Sequence, residues 1–235
     1  MAGDLTELPA VDIPGHVPSG LGNEDHPMRH MTRRAAGLQP PVWDEGARRE
    51  VAALFDGLAS EWHTRTSPER DAVVRDALDR GLPAPLTASD VCVELGSGIG
   101  AYTPALAQRW RRVIATDVAV EMLQLAPRGV GHRVLADGAR LPLPDSTADA
   151  VVLVNCFLFP EEVVRVLSPD GVLVWVNSSG DQTPIHLPTH DVVAALPGRW
   201  VGVHSRAGAG TWCVLWQGDG RKRVVRTWPG RGGRA

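Results

Sequence analysis

The chain has 235 residues, is 43% hydrophobic and 22% charged, and carries a formal charge of −3. It is too apolar for a disordered chain, has no Gly-X-Y period, and has only three cysteines, which leaves an ordinary globular domain with terminal extensions. Arg221, Lys222, Arg223, Arg226, Arg231 and Arg234 stand against Asp219 alone, so residues 219–235 carry +5 and the rest of the chain −8. An acidic body disfavours nucleic acid as a partner, because phosphate neutralisation needs a basic face.

Residues 1–40 contain five prolines and no sustained period, and read as an irregular lead segment. Their start is acidic and Pro-containing, unlike a signal peptide, and no apolar run is long enough to span a membrane, so a cytoplasmic location is expected. From Trp43, a helical stripe of Val51, Leu54, Phe55, Leu58 and Trp62 puts apolar residues on one face. Ser67 as N-cap and Pro68 as first residue open a second helix, which stops at Gly81 and Pro83.

Short apolar strands then alternate with helical stretches: 90–95, 113–116, 132–136, 150–154, 172–177, 200–204 and 211–216. Continuous runs such as VVLV and VLVWV are those of buried parallel strands. The expectation is an α/β fold, a Rossmann-like, doubly wound, mostly parallel seven-stranded sheet with an N-terminal helical lid. The last two strands, joined only by 205–210, form an antiparallel C-terminal hairpin. The body of the domain is assigned to 41–218 and the basic tail, expected to be disordered, to 219–235. Cys92, Cys156 and Cys213 lie far apart in apolar runs without ligand spacing, so neither metal nor disulfide is expected.

The sharpest motif is Glu94-Leu95-Gly96-Ser97-Gly98-Ile99-Gly100, where the first of these strands turns into a helix containing Tyr102, Leu106 and Trp110. Gly96, Gly98 and Ala101 also satisfy a dinucleotide fingerprint, but Glu94 would repel a pyrophosphate and suits a ligand carrying an ammonium. With Glu94 and the three glycines, the motif resembles that of the class I S-adenosylmethionine-dependent methyltransferases. Further matches follow in order: Asp117 ending the second strand with Met122 beyond it, Asp137-Gly138-Ala139, and Asp149. Leu167-Ser168-Pro169-Asp170-Gly171 then precedes the fifth strand. Leu54 to Trp62 also resembles the segment before the core in the ubiquinone and menaquinone methyltransferase-like group, with Trp62 in place of a tyrosine.

The resemblance implies S-adenosyl-L-methionine as cofactor. Glu94, Gly96, Ser97, Gly98 and Tyr102 would surround its amino-acid end, Asp117, Val118 and Met122 its ribose and adenine, and Asp137, Gly138 and Ala139 the adenine edge. Asn155 falls at the end of the fourth strand. Asp149 is read as structural, bonding backbone at a strand start. Candidate acid/base groups are His186, near the expected site mouth, and His63, at the end of the first helix.

The expected activity is methyl transfer to a small-molecule acceptor on O, C or N, under a lid from residues 1–65 and 178–188. Asn155 is followed by Cys156, not by the motif of enzymes that methylate nucleic-acid amino groups. The alternatives are a methyltransferase-like protein that binds cofactor without turnover, and an RNA methyltransferase guided by the basic tail. The oligomeric state is left open, a homodimer included.

Overall fold

The computed structural model describes residues 4–18, 20, 22–83 and 91–218. Its centre is one eight-stranded sheet made of β1 (Leu5–Glu7), β2 (Val91–Leu95), β3 (Arg112–Asp117), β4 (His132–Leu135), β5 (Ala148–Val154), β6 (Leu167–Asn177), β7 (Trp200–Ala207) and β8 (Gly210–Gln217). The order across the sheet is β1-β7-β8-β6-β5-β2-β3-β4, and β8 alone runs antiparallel to its neighbours. The doubly wound α/β architecture is therefore as expected. The hairpin also forms, with a turn of only Gly208 and Ala209.

The sheet has one more strand than the seven read from the sequence. Leu5–Glu7 pairs in parallel with β7, in register Leu5↔Gly202 to Glu7↔His204. A three-residue edge strand built from backbone pairing has no side-chain alternation to reveal it. The lead segment also holds a helix, α1 (Pro27–Ala35), so 1–40 is not irregular throughout. Pro27 looks like a breaker in sequence, but it stands in the first turn, where its missing N–H costs nothing.

Strand alternation explains the two cores. Val93, Leu95, Val151, Leu153, Leu173 and Trp175 face one side, packed with Val163 and Val166 of α6 (Pro160–Val166) and Val192 of α7 (Thr189–Ala195). Cys92, Val152, Val172, Val174 and Trp212 face the other, against Val73 and Val74 of α3 (Pro68–Asp76) and Leu106 of α4 (Thr103–Ala107). Burying each such side chain contributes about 1.5–3 kcal/mol. Asp149 accepts the Val91 amide at 3.0 Å, a backbone role at the strand start.

Ser67 caps α3 by accepting the Arg70 amide at 3.3 Å, with Pro68 in the first turn, as its sequence predicts. Asp44 likewise caps α2 (Glu45–Leu58) through the Ala47 amide. The stripe beginning near Trp43 outlasts this helix: after Leu58 the chain tightens into a 3-10 turn over Ala59–Arg65. The helix after the glycine turn is shorter than expected. Tyr102 precedes it and Trp110 follows it, although the Trp110 amide still bonds the Leu106 carbonyl and its ring is buried.

Candidate functional site

Beyond Leu95 the chain turns at the carboxyl edge of the sheet. Gly96 and Gly98 have φ of +68° and +55°, in the left-handed region that favours glycine. A Cβ on Gly96 would lie 2.3 Å from Cys156 Sγ, so the bare backbone lets the turn nest against the segment after β5. The Ser97 amide donates to the Thr116 carbonyl at 2.9 Å, tying the turn to β3. The carboxylate of Asp117, at the end of β3, accepts the Gly98 amide at 2.7 Å and the Ala119 amide at 2.9 Å. Burial pushes the Asp117 pKa up, and these amides pull the other way.

Above this turn lies a cavity of about 480 Å³. Its floor is formed by Gly96, Ser97 and Gly98, by Asp117 and Val118 with Met122 of α5 (Val120–Leu125), and by Gly138 and Asn155. Asn155 adopts a positive φ of 50°, and its side chain bonds both the amide and the hydroxyl of Ser178 (2.8 and 2.9 Å), joining the ends of β5 and β6. Tyr102 stands at the wall, its hydroxyl pushed up to about 12 chiefly by burial. The roof comes from Met28 of α1, Leu54, Phe55 and Leu58 of α2, Trp62, and Ile185 after β6. The stripe of α2 thus faces a cavity more than the core, and Leu54 remains 41% exposed.

Nine of the expected site residues meet here: Gly96, Ser97, Gly98, Tyr102, Asp117, Val118, Met122, Gly138 and Asn155. Glu94 does not reach the cavity. It is buried behind the turn, where its Oε2 accepts from Thr103 Oγ1 at 2.5 Å, its Oε1 has no partner, and burial pushes its pKa up to about 8. Ala139 is also outside the lining and gives its amide to Asp137. Asp137 is absent from the lining, and Trp43, which does line the cavity, donates to its carboxylate from Nε1 at 3.1 Å.

Neither candidate histidine lines the cavity. His186 is buried beside α1, with Nδ1 3.0 Å from an Arg29 guanidinium nitrogen; burial, and then that charge, hold its pKa down to about 4. His63 is exposed, its ring bonded to the Ser60 carbonyl. The reason is geometric. A 3-10 turn rotates His63 away from the face that carries Trp62, and α1, absent from the sequence reading, covers His186.

The lining residues that were not anticipated include the four side chains His26, Trp43, Arg65 and Arg70. His26 caps α1 by accepting the Met28 amide at Nδ1, so its neutral form presents Nε2–H. Trp43 packs on Phe157 and Phe159 at ring separations of 5.7 and 5.0 Å. None of the four belongs to a motif, and the one available signal was the aromatic Trp43 next to a helix cap. Among the described residues there is no cluster of His, Cys, Asp or Glu able to hold a metal, and no helix long and apolar enough to cross a membrane.

Residues 93–175, which contain the turn, the Asp117 strand and the β5 end, match the family model described as a methyltransferase domain. Residues 93–175 are therefore similar to a methyltransferase domain. The domain is similar to the demethylmenaquinone methyltransferase of Corynebacterium urealyticum, with 31% identity over 147 residues covering 58% of this chain and 62% of that protein. It is also similar to the malonyl-[acyl-carrier protein] O-methyltransferase of a Marinomonas species, 30% identical over 161 residues, covering 63% and 58% of the two chains. The chain thus spans less than two thirds of the length of these curated relatives. Among solved structures, DhpI in complex with SAH shares its fold with a TM-score of 0.60 at 21% identity, over 75% of this chain and 100% of the other. A SAM-dependent methyltransferase from Aquifex aeolicus shares it at 0.54 and 21%, over 67% and 96%.

Proposed function

We propose that this chain transfers the methyl group of S-adenosylmethionine to a small-molecule acceptor. The observation that carries the reading is the Gly96–Gly98 turn, with Asp117 bonded beneath the Gly98 amide at the floor of the cavity. The methyltransferase names of the relatives, and of the Aquifex aeolicus structure that shares the fold, are in keeping with it.

The donor groups fit such a cofactor. Each oxygen of Asp117 accepts one backbone amide and keeps a lone pair for a ribose hydroxyl, while Val118, Met122 and Gly138 offer an apolar slot for a flat base. The bare Gly98 backbone, at a φ of +55°, takes a turn that a side chain would strain and leaves its surface open to close approach. Glu94 cannot meet the ammonium directly from behind the turn. Its role in this reading is to hold Thr103, at the start of α4.

When bound, the sulfonium supplies an activated methyl group that needs only in-line approach of a nucleophile. The residues must mainly align two reactants, an effect worth roughly 7–11 kcal/mol in favourable cases. The lining is poor in general bases: the Tyr102 hydroxyl is pushed up to about 12, burial pushes the Cys156 thiol higher still, and His26 uses Nδ1 as a cap. The acceptor therefore brings its own lone pair. Enclosure by α1, α2 and Ile185 favours a small acceptor, which fits the acidic body better than nucleic acid does. The tail 219–235, on which the RNA alternative rests, lies outside the described residues.

Calorimetric titration of S-adenosylhomocysteine tests the reading. Micromolar binding to the wild type that is impaired by Asp117→Ala and by Gly98→Arg is expected. Equal or tighter binding of NAD overturns it.

A further inference from the structure

Resting on that reading, we propose that the acceptor is a small organic acid with an apolar body, whose anionic group is seated by Arg65 and Arg70. Both arginines line the cavity, at the junction where the 3-10 turn after α2 leads into α3. Among the described residues, neither has a carboxylate within ion-pair distance, unlike Arg165, which pairs with both Glu162 and Asp145. Both are part-buried at the cavity wall, where an anion bound between them would gain charge-assisted hydrogen bonds.

The pair is held in place by uncharged contacts. An Arg70 Nη1 donates to the Arg65 carbonyl, and the Arg70 amide is the one capped by Ser67. The Arg65 guanidinium lies 5.3 Å from the centre of the Trp62 ring, an aromatic stacking arrangement that leaves its in-plane N–H donors available. A planar fork of donors is matched to a carboxylate or a similar oxyanion.

Charge balance extends the argument. Among the described residues, Asp117 is the sole carboxylate of the lining, set against the two guanidinium groups, with Asp56 and Asp71 acting from outside it. S-adenosylmethionine, with a sulfonium, an ammonium and one carboxylate, adds a further net positive charge. Glu94, protonated near neutrality by its burial, supplies no compensation from behind the turn. The lining of the filled cavity then carries more positive than negative charge, and an anionic acceptor balances it. The neighbouring roof of Leu54, Phe55, Leu58 and Ile185 is apolar and suits the body of such a molecule.

The same carboxylate chemistry occurs in the amino-acid end of the cofactor, so the test separates the two sources. The full-length protein is saturated with S-adenosylhomocysteine and titrated with straight-chain carboxylates from butanoate to decanoate, each beside its neutral amide. At least one carboxylate is expected to bind tenfold or more tightly than its amide. That preference is expected to vanish in Arg65→Gln and Arg70→Gln and to return in part in the lysine variants. Affinity for S-adenosylhomocysteine is expected to change less than threefold.

No carboxylate preference in the wild type, or one untouched by the substitutions, overturns the proposal. So does a tenfold loss of S-adenosylhomocysteine affinity with 5′-methylthioadenosine, which lacks the carboxylate, binding as before; that result assigns the pair to the cofactor. A wild type that binds neither nucleoside refutes the parent reading instead. A glutamine variant that loses both nucleosides is misfolded, and the wild-type carboxylate-against-amide comparison then decides alone.

Discussion

Asp117 Oδ2 accepts the Gly98 amide at 2.7 Å, so the carboxylate that ends β3 is wired to the glycine turn that follows β2. One side chain thereby shapes the turn and faces the cavity beside it. Asp117→Ala is expected to lower S-adenosylhomocysteine affinity tenfold or more, a loss of at least about 1.4 kcal/mol. Circular dichroism should show the sheet retained. An unchanged affinity removes Asp117 from the binding site.

Gly96 is constrained from two sides, by its φ of +68° and by Cys156 Sγ, 2.3 Å from where a Cβ would sit. Gly96→Ala is expected to destabilise the fold by about 1–3 kcal/mol in urea denaturation, from overpacking and backbone strain. Adding Cys156→Ala should recover only part, because removing the sulfur relieves the clash and leaves the strain.

Glu94 keeps its proton in the folded chain up to about pH 8, against an ordinary value of 4.5. Between these values the unfolded chain releases a proton that the folded chain retains, so this group makes stability fall as pH rises from about 4.5 to about 8. Glu94→Gln removes the titration. The melting temperature of the variant relative to wild type should climb by several degrees across that window, and a flat difference would contradict the assignment.

His186 has the opposite dependence. Its pKa is lowered to about 4 from 6.5, so the unfolded chain takes up a proton in that interval that the folded chain refuses, and stability is lost as pH falls from 6.5 to 4. His186→Gln should flatten this acid limb in thermal melts. His63→Gln, altering an exposed ring away from the cavity, should leave both the melts and S-adenosylhomocysteine binding unchanged.

Leu153 in β5 is fully buried and Leu135 in the edge strand β4 is 58% exposed. Leu153→Ala is expected to cost about 2–5 kcal/mol and Leu135→Ala within about 0.5 kcal/mol, by chemical denaturation. Similar costs at the two positions would contradict the strand order.

By itself the sequence determined what depends on neighbours along the chain. Continuous apolar runs mark β5 and β6 because both faces of a central strand are covered, and the Ser67-Pro68 pair marks α3 because capping is local. The glycine spacing and Asp117 were legible for the same reason: turn conformation and a strand end are short-range properties. What only the tertiary structure decided depends on groups distant in the chain. Trp43 meets Asp137 across 94 positions, and Arg29 meets His186 across 157. Asp137 and His186, so partnered, are absent from the cavity lining, although their positions in the sequence point to it. The burial of Glu94 behind its own motif, and the presence of Arg65 and Arg70 in the same cavity as the β-strand ends, likewise follow from how the helices close over the sheet, because a side chain's charge state and exposure are set by all that packs around it.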